Sequence, residues 1–166
     1  MAVESGKVVR LDDVVPITYG GGEETRFLLR GEDTGGRYSF YEVRMPAGEG
    51  SVWHVHHDAD ESFYVIEGEF EVKVGDEIHK APAGTMVYGP RGVAHSFFNT
   101  WHQPSTMLCT MSPGGIEDFF EELSEVLTRP VRPEWDQIRA VGERHGITAD
   151  RPQGGPHGGP PVAAAN

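Results

Sequence analysis

An all-β domain followed by a short helical extension is the fold this sequence predicts, and two observations predict it. From Glu24 to Met111 the chain runs as short segments rich in β-branched and aromatic residues: ETRFLLR, RYSFYEVRM, SVWHVHH, ESFYVIEG, EFEVKVG, DEIHKA, GTMVYGP, AHSFFNTW and STMLCTM. Gly, Pro or Asp punctuates them, and none carries helical periodicity. Beyond Met111 the hydrophobic period lengthens to that of a helix. Short strands at near-regular spacing predict a sandwich or barrel rather than a parallel βαβ sheet.

In order, the chain opens with a short apolar run, KVVRL, and a glycine loop at Gly20 to Gly22 before the first strand signal. Gly68 separates two apolar runs as a hairpin hinge, and Gly75 followed by Asp76 marks another tight turn. In SPGGIEDFFEELSEVL, the residues Ile116, Phe119, Phe120, Leu123, Val126 and Leu127 recur at helical spacing, with Glu117, Asp118, Glu121, Glu122 and Glu125 mostly on the other face. Arg129 to Pro133 breaks this helix. A second is expected from Pro133 to His145, with Gly146 capping its C-terminus and Trp135, Ile138 and Val141 as its packing stripe. The expected layout is a barrel over 1–112, helices over 113–147 packed on the barrel or on a dimer mate, and a disordered Pro- and Gly-rich tail over 148–166.

Composition narrows the function. The 166 residues hold 14 Lys plus Arg against 26 Asp plus Glu, a formal net charge of -12, with no basic cluster. Nucleic acid and anionic membrane surfaces are therefore not the expected partners, because each needs clustered cations. Cys109 is the only cysteine, so no internal disulfide forms. The first fifteen residues lack the charged and apolar regions of a secretory signal, and a cytoplasmic protein is expected.

The chemistry concentrates in two stretches. In GEGSVWHVHHDADESFYVIEG, His54 and His56 lie two apart on one strand and so point the same way. Glu61 opens the next strand across a tight loop and can join them. In GTMVYGPRGVAHSFFN, turn residues deliver His95 at the start of a strand whose one face also carries Phe97 and Asn99. By parity Trp53 and His57 fall on the opposite face. His79, His102 and His145 occupy a turn, a strand end and a helix end, where ordinary structural roles suffice.

These two stretches resemble the paired motifs of the cupins. The first fits G-x5-H-x-H-x4-E-x6-G through Gly48, His54, His56, Glu61 and Gly68. The second fits G-x5-P-x-G-x2-H-x3-N through Gly84, Pro90, Gly92, His95 and Asn99, fifteen residues further on. The resemblance implies a jelly-roll β-barrel in which His54, His56, Glu61 and His95 bind one divalent metal. Three imidazoles and a carboxylate suit Fe, Mn, Ni, Co, Cu or Zn and disfavour Ca or Mg. Such a set leaves coordination positions open, which is a catalytic layout.

A nearer likeness, to bacterial single-domain cupins similar to quercetin 2,3-dioxygenase, implies a metal-dependent dioxygenase. It would cleave an enolic or phenolic small molecule, a flavonol or polyketide, with O2. Glu61 would then be both metal ligand and catalytic base. Phe63, Phe97 and Phe40 are the expected apolar pocket residues. A non-oxidative isomerase, cyclase or lyase of a secondary-metabolite pathway would use the same residues, and so would a binding cupin without turnover. A homodimer is expected by the same analogy.

Overall fold

The computed structural model describes residues 6–19 and 21–152. In chain order the strands are β1 (Ile17–Thr18), β2 (Glu24–Leu29), β3 (Ser39–Met45), β4 (His54–His56), β5 (Asp60–Glu67), β6 (Glu69–Val74), β7 (Glu77–Pro82), β8 (Met86–Gly89), β9 (His95–Asn99), β10 (Ser105–Ser112) and β11 (Ile147–Ala149). Two helices, α1 (Ile116–Leu127) and α2 (Trp135–Arg144), separate β10 from β11. The strands make two antiparallel sheets, ordered β1-β2-β3-β10-β5-β8 and β11-β4-β9-β6-β7. Their facing sides enclose one core.

Alternation along each strand decides what enters that core. On β3, Ser39, Tyr41, Val43 and Met45 turn inward, and on β10 Ser105, Met107, Cys109 and Met111 do so. Phe63 and Val65 of β5 meet Phe70 and Val72 of β6 across the gap, all four buried. Removing each such side chain from water stabilises the barrel by about 1.5–3 kcal/mol. Gly68 does not close the hairpin the sequence suggested: β5 and β6 belong to different sheets, so it carries the chain from one sheet to the other, and it is constrained twice. Its φ is 81°, and an added Cβ would lie 2.0 Å from Ser105 Oγ.

The helices follow the expected periodicity with two differences. Glu117, read from the sequence as part of a polar face, is buried. It accepts hydrogen bonds from the Gly31 amide and the Ser39 hydroxyl, both at 2.6 Å, which ties the start of α1 to the barrel. The other difference is at α2, which begins at Trp135 rather than Pro133. The Glu134 amide donates to Gln137 Oε1 at 2.9 Å and so defines that start.

Gly146, at φ 70°, ends α2 and turns the chain into β11. This strand pairs antiparallel with β4, setting Ile147 opposite His56 and Ala149 opposite His54. Thr148 and Ala149, expected in a tail, are thus an edge strand of the barrel, recruited because β4 otherwise has a free side. Most of the expected tail, 153–166, lies outside the described residues. Among the described residues, no helix is long and apolar enough to cross a membrane.

Candidate metal centre

Three strands bring the motif residues together. β4 and β9 are neighbours, and His54 sits directly opposite His95 in their register. His56 shares the face of His54, and Glu61 reaches in from β5 on the other sheet. The loop before β9 is clamped to the same place: Arg91 forms a bidentate pair with Asp60, with Nη2 to Oδ2 at 2.8 Å, and the Gly92 amide donates to the His56 carbonyl at 2.7 Å. Gly89 is also required here. A Cβ on it would lie 3.0 Å from the His95 ring.

The ligand atoms of His54, His56, Glu61 and His95 all lie within 4.8 Å of one another. His54 Nε2 is 3.1 Å from His56 Nε2, and Glu61 Oε2 is 3.0 Å from His95 Nε2 and 3.4 Å from His56 Nε2. Behind them, His54 Nδ1 is 2.7 Å from the Val52 carbonyl and His95 Nδ1 is 3.0 Å from that of Val93. Those carbonyls accept the Nδ1 protons, so both Nε2 lone pairs point at the common centre. Tyr41 donates to Glu61 Oε1 at 2.8 Å, leaving Oε2 turned toward the histidines. Donors aimed inward, three of them with their outer atoms held by hydrogen bonds, are the arrangement a divalent metal requires, and the four residues fit one.

The electrostatics of His54 and Glu61 agree. Burial, reinforced by His95 and His56, pushes His54 down to about 3, so its ring is a neutral donor. Burial opposes ionisation of Glu61, but hydrogen bonds and charge from His56 and His95 outweigh it and hold the carboxyl well below its usual range. For His95 burial likewise opposes the charged form, and the Glu61 carboxylate reverses that, raising it. Burial and then Glu61 push the Tyr41 phenol far up, so it stays a proton donor.

Residues 41–111 match the family model for the cupin domain, Cupin_2. This segment is a cupin domain. The chain is 28% identical to the tetracenomycin polyketide synthase protein TcmJ of Streptomyces glaucescens over 130 residues, 78% of this chain and 85% of that one. It is 28% identical to quercetin 2,3-dioxygenase of Bacillus subtilis over 69% of this chain but 36% of that protein. The chain spans less than two thirds of three of the curated relatives it matches, at 63%, 14% and 36% of their lengths. Among solved structures, ectoine synthase from P. lautus superposes with a TM-score of 0.58 at 25% identity, covering 70% of this chain and 86% of that one.

Above the metal cluster the cupin barrel opens into a cavity of about 680 Å³. His54, His56 and Glu61 form its floor, while Phe119, Phe120 and Leu123 of α1 and Trp135 and Ile138 of α2 form a wall. Of the expected pocket residues, Phe97 lines it. Phe63 does not: it is fully buried behind His95, 6.2 Å between ring centroids, and packs on Phe97 at 5.8 Å. Phe40 is also displaced, because its neighbour Tyr41 takes the inward position on β3 and leaves Phe40 on the outer face.

Sequence reading missed Tyr41, whose signal was the inward alternation with Val43 and Met45. It also missed Glu23, for which there was no local signal, and the cavity role of both helices. Among the described residues, the other histidines and Trp53 have partners of their own, while His157 lies outside the described residues. His57 meets Thr148 at 2.9 Å, Lys73 lies 4.2 Å over the Trp53 ring, His79 meets Glu77 at 3.1 Å, and His145 ties α2 to Glu122 of α1 at 2.8 Å. His102 stacks beside Trp101.

Proposed function

We propose that this cupin is a metal-dependent enzyme for a flat enolic or phenolic substrate of polyketide type, on which it catalyses a proton-moving reaction such as cyclisation or isomerisation. One observation carries the reading: a cavity of about 680 Å³ joins a His/Glu cluster at its floor to walls of Phe97, Phe119, Phe120 and Trp135. An aromatic or enolic molecule has the matching shape, apolar faces with a polar edge. The similarity to TcmJ, which extends over most of both chains, supports the polyketide class.

In this reading His54, His56, Glu61 and His95 hold the metal. A divalent ion there supplies Lewis-acid polarisation and makes a substrate hydroxyl more acidic. Tyr41 fixes which Glu61 oxygen faces the centre. The aromatic walls orient the ring system and exclude water. With Oε1 bonded to Tyr41 and Oε2 turned to the histidines, Glu61 serves as ligand, and the base role expected of it passes to another group.

A second reading, oxidative cleavage with O2, is favoured by the similarity to quercetin 2,3-dioxygenase. The test is turnover by protein reconstituted with Fe, Mn, Ni, Co, Cu or Zn against flavonols and phenolic polyketides, run with and without oxygen. Anaerobic formation of an isomeric or dehydrated product supports the first reading. Product formed only with stoichiometric oxygen uptake replaces it with the second, and binding without product in either atmosphere makes this a binding cupin.

We propose that the chain forms a homodimer. Tyr64, Met86 and Tyr88 expose an apolar strip on β5 and the edge strand β8, and sedimentation of the full chain decides it.

A further inference from the structure

Two carboxyls beside the barrel interior face the cavity, and they are in opposite situations. Both oxygens of Glu61 are engaged at the metal cluster. Glu23 directly precedes β2, on the inward parity of Thr25 and Phe27, and lines the same cavity. Among the described residues its carboxyl has no hydrogen bond or ion pair. Register places it: Phe27 pairs with Tyr41, which touches Glu61, and Thr25 pairs with Val43. Glu23 is one inward step further, four residues or about 13 Å of strand from Phe27. The cavity therefore has a metal pole and a carboxyl pole, with an apolar belt between them.

The surroundings of Glu23 favour an exchangeable proton. Burial, and then the charge of Glu49 from the loop after β3, push its carboxyl up from 4.5 to about 7. The other ionisable groups it feels are Tyr19 from the β1–β2 connection and Cys109 from β10, and burial holds both protonated. Tyr19 Oη is itself buried beside the buried hydroxyl of Thr25. Among the described residues no cation pairs with Glu23, and the charged residues lining the cavity besides Glu23 and Glu61, namely Arg132, Glu134, Arg139 and Arg151, come from in and around α2.

We infer that Glu23 is the group that exchanges a proton with the substrate at the pole of the cavity opposite the metal cluster. This rests on the proposed proton-moving reaction. The Glu23 O–H breaks as an O–H forms on a substrate carbonyl oxygen, and the reverse transfer from a substrate hydroxyl restores the acid. No oxidant or further reactant enters the step. A carboxyl placed this way near its own pKa transfers protons in either direction at neutral pH.

Two measurements on the full-length, metal-loaded protein test it. The first needs no substrate: dicyclohexylcarbodiimide enters apolar cavities and modifies protonated carboxyls, so peptide mapping should find Glu23 modified and Glu61 spared. Modification should slow as pH rises through about 7. An unmodified Glu23 across that range overturns the inference. The second uses any compound turned over anaerobically in the panel above. Glu23→Gln should lower kcat by about 100-fold and remove the limb of the pH profile near neutrality, with KM and metal content within a few-fold of the parent. A Glu23→Gln variant with parental kcat and pH profile overturns the inference as well. If no panel compound is turned over, the functional reading fails, while the carbodiimide result still decides whether Glu23 presents a protonated carboxyl to the cavity.

Discussion

At the floor of the cavity, side chains from β4, β5 and β9 are buried, hydrogen-bonded and aimed at one point, whereas at its wall α1 and α2 present Phe119, Phe120 and Trp135 half-buried, with Phe119 and Phe120 in ring contact at 5.3 Å. The floor is specified by directional bonds. Three of the four donors depend on another group behind them, His54 on Val52, His95 on Val93 and Glu61 on Tyr41. The wall is specified by apolar area, which many side chains can supply. In the proposed function, chemistry belongs to the first region and the size and shape of the substrate to the second.

Breaking the floor should have the largest effect. His95→Ala removes one of four ligands from the buried centre, and metal analysis after dialysis should fall from about one ion per chain toward zero. Full occupancy in that variant would remove His95 from the ligand set. Next comes the packing that supports the floor. Phe63→Ala, at a fully buried position against His95 and Phe97, should cost about 3–5 kcal/mol in denaturant unfolding. Trp135→Ala, in the wall, should cost about 1 kcal/mol or less while weakening binding of aromatic probes. Equal losses from the two variants would erase the distinction between floor and wall.

Smaller effects sharpen the contrast. Tyr41→Phe leaves Glu61 Oε1 without its donor and should lower metal affinity about 10–100-fold, read by competition with a chelating dye. The two carboxyls then part company with pH. Glu23 is raised from 4.5 to about 7 in the folded chain, chiefly by burial, so the folded state holds this proton more tightly than the unfolded one. Its contribution to stability is complete below 4.5 and is lost as pH rises through about 7. Glu23→Gln lacks that loss. It should match the parent in acid and become more stable by about 1 kcal/mol at pH 8 after allowance for partial solvent screening, measured as paired unfolding curves. A gap of the opposite sign would place the raised carboxyl elsewhere.

The residues show why some of this was legible. His54, His56, Glu61 and His95 were readable because period-two alternation and fixed motif gaps are local properties of the chain. The same alternation distinguishes Tyr41 from Phe40, but only once the inward parity of β3 is known, and that depends on β2 and β10 beside it. Glu117 read as a surface residue because its partners, Gly31 and Ser39, are more than seventy positions away. Ile147 to Ala149 carried too few residues for a strand signal, and only the side of β4 that β9 leaves free makes them one.

By itself, the sequence determined the all-β architecture with a helical extension, the turn at Gly75, and the four residues that gather in the His/Glu cluster. These follow from side-chain periodicity and from the backbone freedom of glycine, which act over a few residues. Only the tertiary structure decided that α1 and α2 wall the cavity, that Phe63 supports His95 instead of meeting substrate, and that Glu23 is a raised carboxyl while Glu61 is a lowered one. Burial and electrostatic surroundings set these properties, and both are supplied by groups distant in the chain and brought close by folding.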